Sequence, residues 1–262
     1  MLRMRRSTRS RRRSDAMTGG WTVRRFWKEV DVAPVEGGFA VRLDGRPIRT
    51  PGKAAMVLST RALAQVVAAE WSAQEGEVRP TAMPATRTAN SAVDTVGLHR
   101  ESIVDDLAGY GATDLVSYRA EEPRDLCDLQ AAGWDPLVTW VKLRFGVALR
   151  VGRGVVPVDQ PVETLAALQA EVARQDDFQL AALHDLVALS GSLVIALAVI
   201  DGVRSAEEAW DLSRIDEAWQ IAQWGGDEEA EAVAREKRAA FVHAARFHAL
   251  CGHAITQSRG TE

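Results

Sequence analysis

The sequence predicts an α+β fold, with a small antiparallel β-rich N-terminal domain followed by a larger, mainly α-helical C-terminal domain. Three observations predict it. Short apolar runs broken by glycine turns fill residues 21–58. From residue 91 onward, apolar side chains recur at helical spacing. Between the two parts, residues 79–90 carry Pro80 and Pro84 and show little periodicity, which reads as a connector. The expected organisation is a disordered basic tail over 1–20, the β-rich domain with one helix over 21–83, the helical domain over 84–253 and a flexible tail over 254–262.

The β-rich part is read as strands over 27–35, 38–43, 46–49 and 55–58. Glu36-Gly37-Gly38 and Asp44-Gly45 are hairpin-type breaks, because glycine reaches positive φ without steric cost. Pro51-Gly52 is another turn. Thr60 can cap a helix running to about residue 74, with Leu63, Val66, Val67 and Trp71 on one face. Gly76 and Pro80 stop it.

Downstream, residues 91–108 form a helical pattern and residues 115–118 a short extended piece. Residues 123–145 read as a long helix, with Gly133 and Pro136 as candidate break points. Gly152-Arg153-Gly154 sits between apolar residues and suggests a small hairpin over 147–156. Pro161 opens the next helix, a position that tolerates proline. The most apolar run, residues 186–200, is too short for a membrane span of roughly 20 residues and reads as a buried central helix. Ser190-Gly191-Ser192 falls inside it, where small residues would let a neighbour approach. Residues 205–223 and 227–250 complete the helical part.

Charge is distributed unevenly. Residues 1–16 carry seven arginines and one acid, so the remaining chain holds −10 of a net −4. An acidic body excludes nucleic acid as the main partner, because phosphate binding needs clustered positive charge. The tail reads as a disordered extension, or as the product of an upstream start with Met17 as the first residue. It is Arg- and Ser-rich like a transit peptide, but lacks an apolar face, and no apolar segment follows it as in a secretory signal. Arginine outnumbers lysine 28 to 4, which suggests a GC-rich bacterial source and a cytoplasmic location, or the mitochondrial matrix in a eukaryote. An acidic monomer is expected. Cys127 and Cys251 form no C-x-x-C pair and read as two buried, reduced thiols.

Motifs for chemistry are missing. His243, His248 and His253 are spaced by five, whereas helical zinc sites use i, i+4 with a glutamate between. Gly152-Arg153-Gly154 lacks the third glycine of a dinucleotide loop and no G-K-[ST] follows. Ser190-Gly191-Ser192 is no nucleophile elbow. The acidic pairs Asp105-Asp106, Asp176-Asp177 and Glu228-Glu229 are sequence neighbours whose side chains diverge by about 100° on a helix. No enzyme, metal or cofactor is expected from these features.

What stands out is suited to binding. The chain has eight tryptophans, several beside charged residues. Tryptophan is enriched at interface hot spots, although most single tryptophans belong to cores. Asp227 is a good N-cap, followed by Glu228, Glu229 and Glu231 in the first turns of the last long helix. Two acids satisfy the helix end. The surplus can form a charged rim around an apolar docking patch.

Five groups of residues, in order, carry a resemblance. They are Ala69-Glu70-Trp71 with Gln74; Thr86-Arg87-Thr88-Ala89-Asn90 with Asp94; Tyr110 to Leu115 with Tyr118-Arg119-Ala120; Trp134-Asp135-Pro136-Leu137; and Asp216-Glu217 with Gln220, Trp224-Gly225 and Asp227-Glu228-Glu229-Ala230. In this order and spacing the chain resembles the assembly chaperones that attend the α subunit of F-type ATP synthase, over roughly residues 27–250. The resemblance implies the same two-part fold. It implies a protein that binds unassembled α subunit before it joins β, without enzymatic activity or a bound nucleotide. The partner-binding residues it suggests are Glu228, Glu229 and Asp227, with Trp224 beside them. Arg87, Asp94, Asp114 and Arg119 match the motifs too, either as contacts or as internal ion pairs. A general holdase without a fixed client, and an enzyme with an unrecognised site, are the alternatives.

Overall fold

The computed structural model describes residues 24–252. The basic tail, Trp21, His253 and the expected flexible C-terminal tail lie outside these residues.

Strand β1 (Val30–Val35) pairs antiparallel with β2 (Gly38–Leu43), in a register that sets Val30 opposite Leu43. Strand β3 (Arg46–Pro47) pairs with the end of β2. The first strand starts later than the expected residue 27. The backbone N–H groups of Lys28 and Glu29 donate to Asp44 Oδ1 at 3.0 and 2.9 Å, outside the ladder. Trp27 instead drops into the core, edge-on to Trp71. β3 is cut to two residues at Pro47, which has no N–H to donate. The expected strand over 55–58 is reduced to bridges, from Ala55 to Arg49 and from Leu58 to Phe39. Gly38 allows the Leu58 bridge, since a Cβ there would stand 2.2 Å from the Leu58 carbonyl oxygen.

Helix α1 (Arg61–Ser72) follows, and the Thr60 side chain accepts from Leu63 N as expected of a cap. Residues 79–90 are not an irregular connector. A single 3-10 turn at Pro80–Ala82 leads into helix α2 (Pro84–Ser91). Glu70 supplies the missing cap: its carboxylate accepts from Ala85 N, Thr86 N and Thr86 Oγ1 at 2.7–2.8 Å. A π-helical turn at Ala92–Val96 joins α2 to α3 (Gly97–Gly109), which kinks at His99. The stretch Leu115–Ser117 is a 3-10 turn and not extended, leading into strand β4 (Tyr118–Arg119).

Helix α4 (Arg124–Phe145) runs through Gly133 and Pro136 without a break. Its packing outweighs the lost hydrogen bond at Pro136, with Trp134, Leu137 and Val141 fully buried. Strand β5 (Gly152–Arg153) is not part of a hairpin. It pairs in parallel with β4, and just before it the Gln160 side chain takes both backbone groups of Arg150. Helix α5 (Val162–Ala173) comes next.

The apolar run that reads as one central helix is two, α6 (Asp177–Ser190) and α7 (Leu193–Ile200). Gly191 takes φ +70°, the left-handed geometry that ends a helix, and Ser192 caps the next one. Ser190-Gly191-Ser192 is therefore a corner between helices. Residues 205–223 also divide, into α8 (Ala206–Ser213) and α9 (Ile215–Trp224). Helix α10 (Glu228–Cys251) closes the described chain, capped by Asp227. Among the described residues, no helix is long and apolar enough to cross a membrane.

Two apolar clusters form the core. One packs the sheet and α1 against Ala85 and Ala89 of α2, Ala182 of α6, and Phe247 and Cys251 of α10. The other gathers α4 to α8 around the whole of α7, with Leu180, Leu183, Leu186 and Phe241. Cys251 is buried, and burial pushes its thiol up to about 12. Cys127 is only half-buried, contrary to expectation, and its thiol donates to the Ala120 carbonyl at 3.1 Å.

Two acids, one half-buried and one fully buried, tie these elements together. Asp94 in the π turn accepts from Thr50 Oγ1 at 2.6 Å and from Gly52 N at 2.9 Å, pinning the turn after the sheet. Asp114, fully buried, accepts from Ser192 Oγ at 2.6 Å, Val194 N at 3.0 Å and Val116 N at 3.1 Å. Burial raises its carboxyl from 3.8 to about 6, against the opposing pull of those donors.

Two outcomes are expected. Asp94→Ala should lower unfolding free energy by about 1–3 kcal/mol in urea titration, since two donors lose their acceptor. Asp114→Asn should destabilise by a similar amount at neutral pH, because an amide offers one acceptor oxygen where the carboxylate offers two. The native carboxyl binds its proton more tightly than the unfolded one. Wild-type stability attributable to Asp114 is therefore greatest below pH about 4 and declines as pH rises through about 6. The gap between wild type and Asp114→Asn should thus be wider at pH 5 than at pH 7.5, and equal gaps would refute the assignment.

Candidate functional site

The suggested residues separate into two groups. Asp114 and Arg119 are buried inside the helical part. Arg119 lies over the Trp134 ring at 4.9 Å and pairs with Asp135 at 2.9 Å, and burial holds its guanidinium below the usual value. Asp94 is half-buried on its ties to Thr50 and Gly52. Each of these three has an internal partner that accounts for its position. Other motif residues behave likewise. Gln74 accepts from Arg79 N, Ala120 N and Asp216 Oδ1 are both held by the Gln130 side chain, and the Trp134 indole donates to the Leu212 carbonyl.

Asp227, Glu228, Glu229 and Trp224 are brought together on the surface. Asp227 Oδ1 accepts from Glu229 N at 2.7 Å and from Ala230 N at 3.3 Å. That satisfies the helix end, so the Glu228 and Glu229 carboxylates carry surplus charge on exposed positions. Neither forms an ion pair among the described residues, whereas Glu231 reaches Arg235 at 3.8 Å. Gly226 makes room for that arrangement, because a Cβ would sit 2.2 Å from Glu231 Oε1.

Trp224 ends α9 with 73% of its surface exposed. Its ring stands edge-on to Trp219 at 5.5 Å, and the Trp219 indole donates to Asp125 of α4 at 2.9 Å. The exposed ring is thus braced against a helix rather than hanging free. Ile221 and Val233, both also exposed, extend the apolar surface. A shallow depression of about 420 Å³ lies alongside, between Arg214, Asp227, Glu229, Val233 and Lys237. The remaining tryptophans are buried or half-buried, as a core reading expects, apart from Trp21 outside the described residues.

A second concavity was not legible from single motifs. It is a groove of about 880 Å³ walled by α2 with its π turn, α3, α6 and α10. Arg87 lies on its rim, exposed and without an ion pair among the described residues. The signal was present in α10, where Glu236, Ala239, Ala240 and His243 fall at i, i+3, i+4 and i+7 on one face. It was hidden because small residues give little hydrophobic contrast. Of the histidines, His248 meets Gln175 at 2.8 Å and His243 is half-buried, with burial lowering its imidazole. Among the described residues, no three His, Cys, Asp or Glu side chains cluster to hold a metal.

Known proteins share this architecture. Residues 24–142 match the profile of the family described as ATP12 chaperone protein. The crystal structure of Atp12 from Paracoccus denitrificans superposes with a TM-score of 0.85 at 50% identity, covering 87% of this chain and 98% of that one. A crystal structure from Agrobacterium tumefaciens gives 0.81 at 39% identity, over 86% of this chain and 84% of that one. Among curated proteins, the mitochondrial protein atp12 of Schizosaccharomyces pombe is 26% identical over 227 residues, 82% of this chain and 78% of its own length. Near-complete coverage at up to half identity extends the match from the sheet through the last helix, and the chain therefore belongs to the ATP12 chaperone family.

Proposed function

We propose that this chain captures unassembled α subunit of the F1 sector of ATP synthase, keeps it from aggregating, and yields it to β during assembly. Family membership supports the chaperone role. The observation that carries the contact is Trp224, a braced indole exposed at the head of an acidic helix start whose Glu228 and Glu229 have no ion-pair partner among the described residues.

Free α subunit must expose the surface that β later covers. Large exposed apolar surface drives aggregation. An apolar patch with a charged rim can cover part of it, the rim steering and orienting the encounter. Modest affinity suffices, because the larger α–β interface can displace the chaperone by mass action without ATP. In this reading one chain holds one α subunit and has no catalytic step. The arginine-rich coding bias and the bacterial relatives favour the bacterial cytoplasm, with the matrix as its counterpart in mitochondria.

Light scattering of purified α subunit provides the test. Added chain should suppress scattering, and added β should restore free chaperone. Equal precipitation with and without the chain would reject the reading. Glu229→Lys and Trp224→Ala should each weaken capture about tenfold or more while leaving melting unchanged, consistent with hot-spot losses of roughly 1.4 kcal/mol or more. If melting falls as far as binding does, those side chains are structural.

A further inference from the structure

The groove between α2, α3, α6 and α10 has two facing walls. From α2 and its π turn come Pro84, Thr88, Ser91 and Thr95, spaced 4, 3 and 4 apart, which is one helical face. From α10 comes the face of Ala239 and Ala240 between Glu236 and His243. Ala181 and Val96 are buried at the floor. Small side chains on both walls bring their helix backbones within reach of whatever enters.

The dimensions suit a helix. The α10 face runs over eight residues, or roughly 10 Å of rise. A helix of about 10 Å diameter fills 880 Å³ over roughly two turns. The charges are also laid out in order. Arg87 stands on the α2 wall, while Glu236 stands on α10 and Asp185 on α6. Neither Arg87 nor Glu236 has an ion-pair partner among the described residues.

We infer that this groove is a second docking site, which receives a two-turn amphipathic helix of the captured subunit. The entering helix presents a narrow apolar face to the alanines, an acidic side chain toward Arg87 and a basic one toward Glu236 and Asp185. This is helix-in-groove recognition with its charged edges in reversed pairs. It rests on the α subunit being the client. It adds a site centred about 16 Å further along α10 than Glu229, on much the same side of that helix.

The full chain and purified α subunit test it. Ala240→Trp fills the groove from an exposed position, and should weaken α binding at least tenfold in a fluorescence titration with melting unchanged. Arg87→Glu should do the same, while Arg87→Lys retains most of the affinity. A photo-crosslinking residue at position 239 should link to α at positions three or four apart. Wild-type affinity in both Ala240→Trp and Arg87→Glu overturns the groove and leaves the chaperone function standing. If Ala240→Trp lowers melting, the Arg87 pair decides alone. Failure of wild type itself to bind α removes the client and this occupant together.

Discussion

The packing of α6 against α10 is the constraint on which the architecture depends. Both helices serve two cores at once. Ala182 and Phe247 face the sheet and α1, while Leu183, Leu186 and Phe241 face the helices around α7. The β-rich and helical parts thus share structural members, and neither buries its apolar face without them. The same pair sets the geometry of the proposed contacts. α10 carries the acidic start at one end and a wall of the groove near its middle, and α6 lays the groove floor.

Polar ties complete what packing begins. Glu70, Asp94 and Asp114 each use a carboxylate to collect donors from a segment distant in sequence. Each replaces a cap or turn bond that local sequence does not provide. A buried acceptor with several donors is costly to disturb and leaves little positional freedom. The interior therefore holds motif residues that look like a binding signature, while the surface keeps the few that are unsatisfied. Trp224 is conspicuous because the other described tryptophans are buried or half-buried.

The β-hairpins, the Thr60 and Asp227 caps and the long α4 were legible in the sequence, because each is determined by neighbouring residues. Helix α2 was not. Its buried face is made of Ala85, Thr86, Thr88 and Ala89, which show no hydrophobic period, and its cap comes from Glu70, fourteen or more positions away. The break at Gly191 was concealed by the continuous apolar run, since burial on all sides erases the period that would show a helix turning. The parallel pairing of β4 with β5 joins segments more than thirty positions apart and follows no local turn signal. At the site, the acidic start was readable from local capping rules. The groove required four elements to be placed first.

The junction of α10 with the start of α1 has a consequence for how the molecule comes into being. Thr60 Oγ1 donates to the Leu250 carbonyl and Ser59 Oγ to that of Cys251, across 190 and 192 positions of sequence. Phe247 and Cys251 also seal the core of the sheet. During synthesis the sheet and α1 leave the ribosome first but stay unsealed until the last helix has emerged. Such long-range closure slows folding. A molecule that shields another's unfinished surface must thus, for a time after translation, keep an unfinished surface of its own.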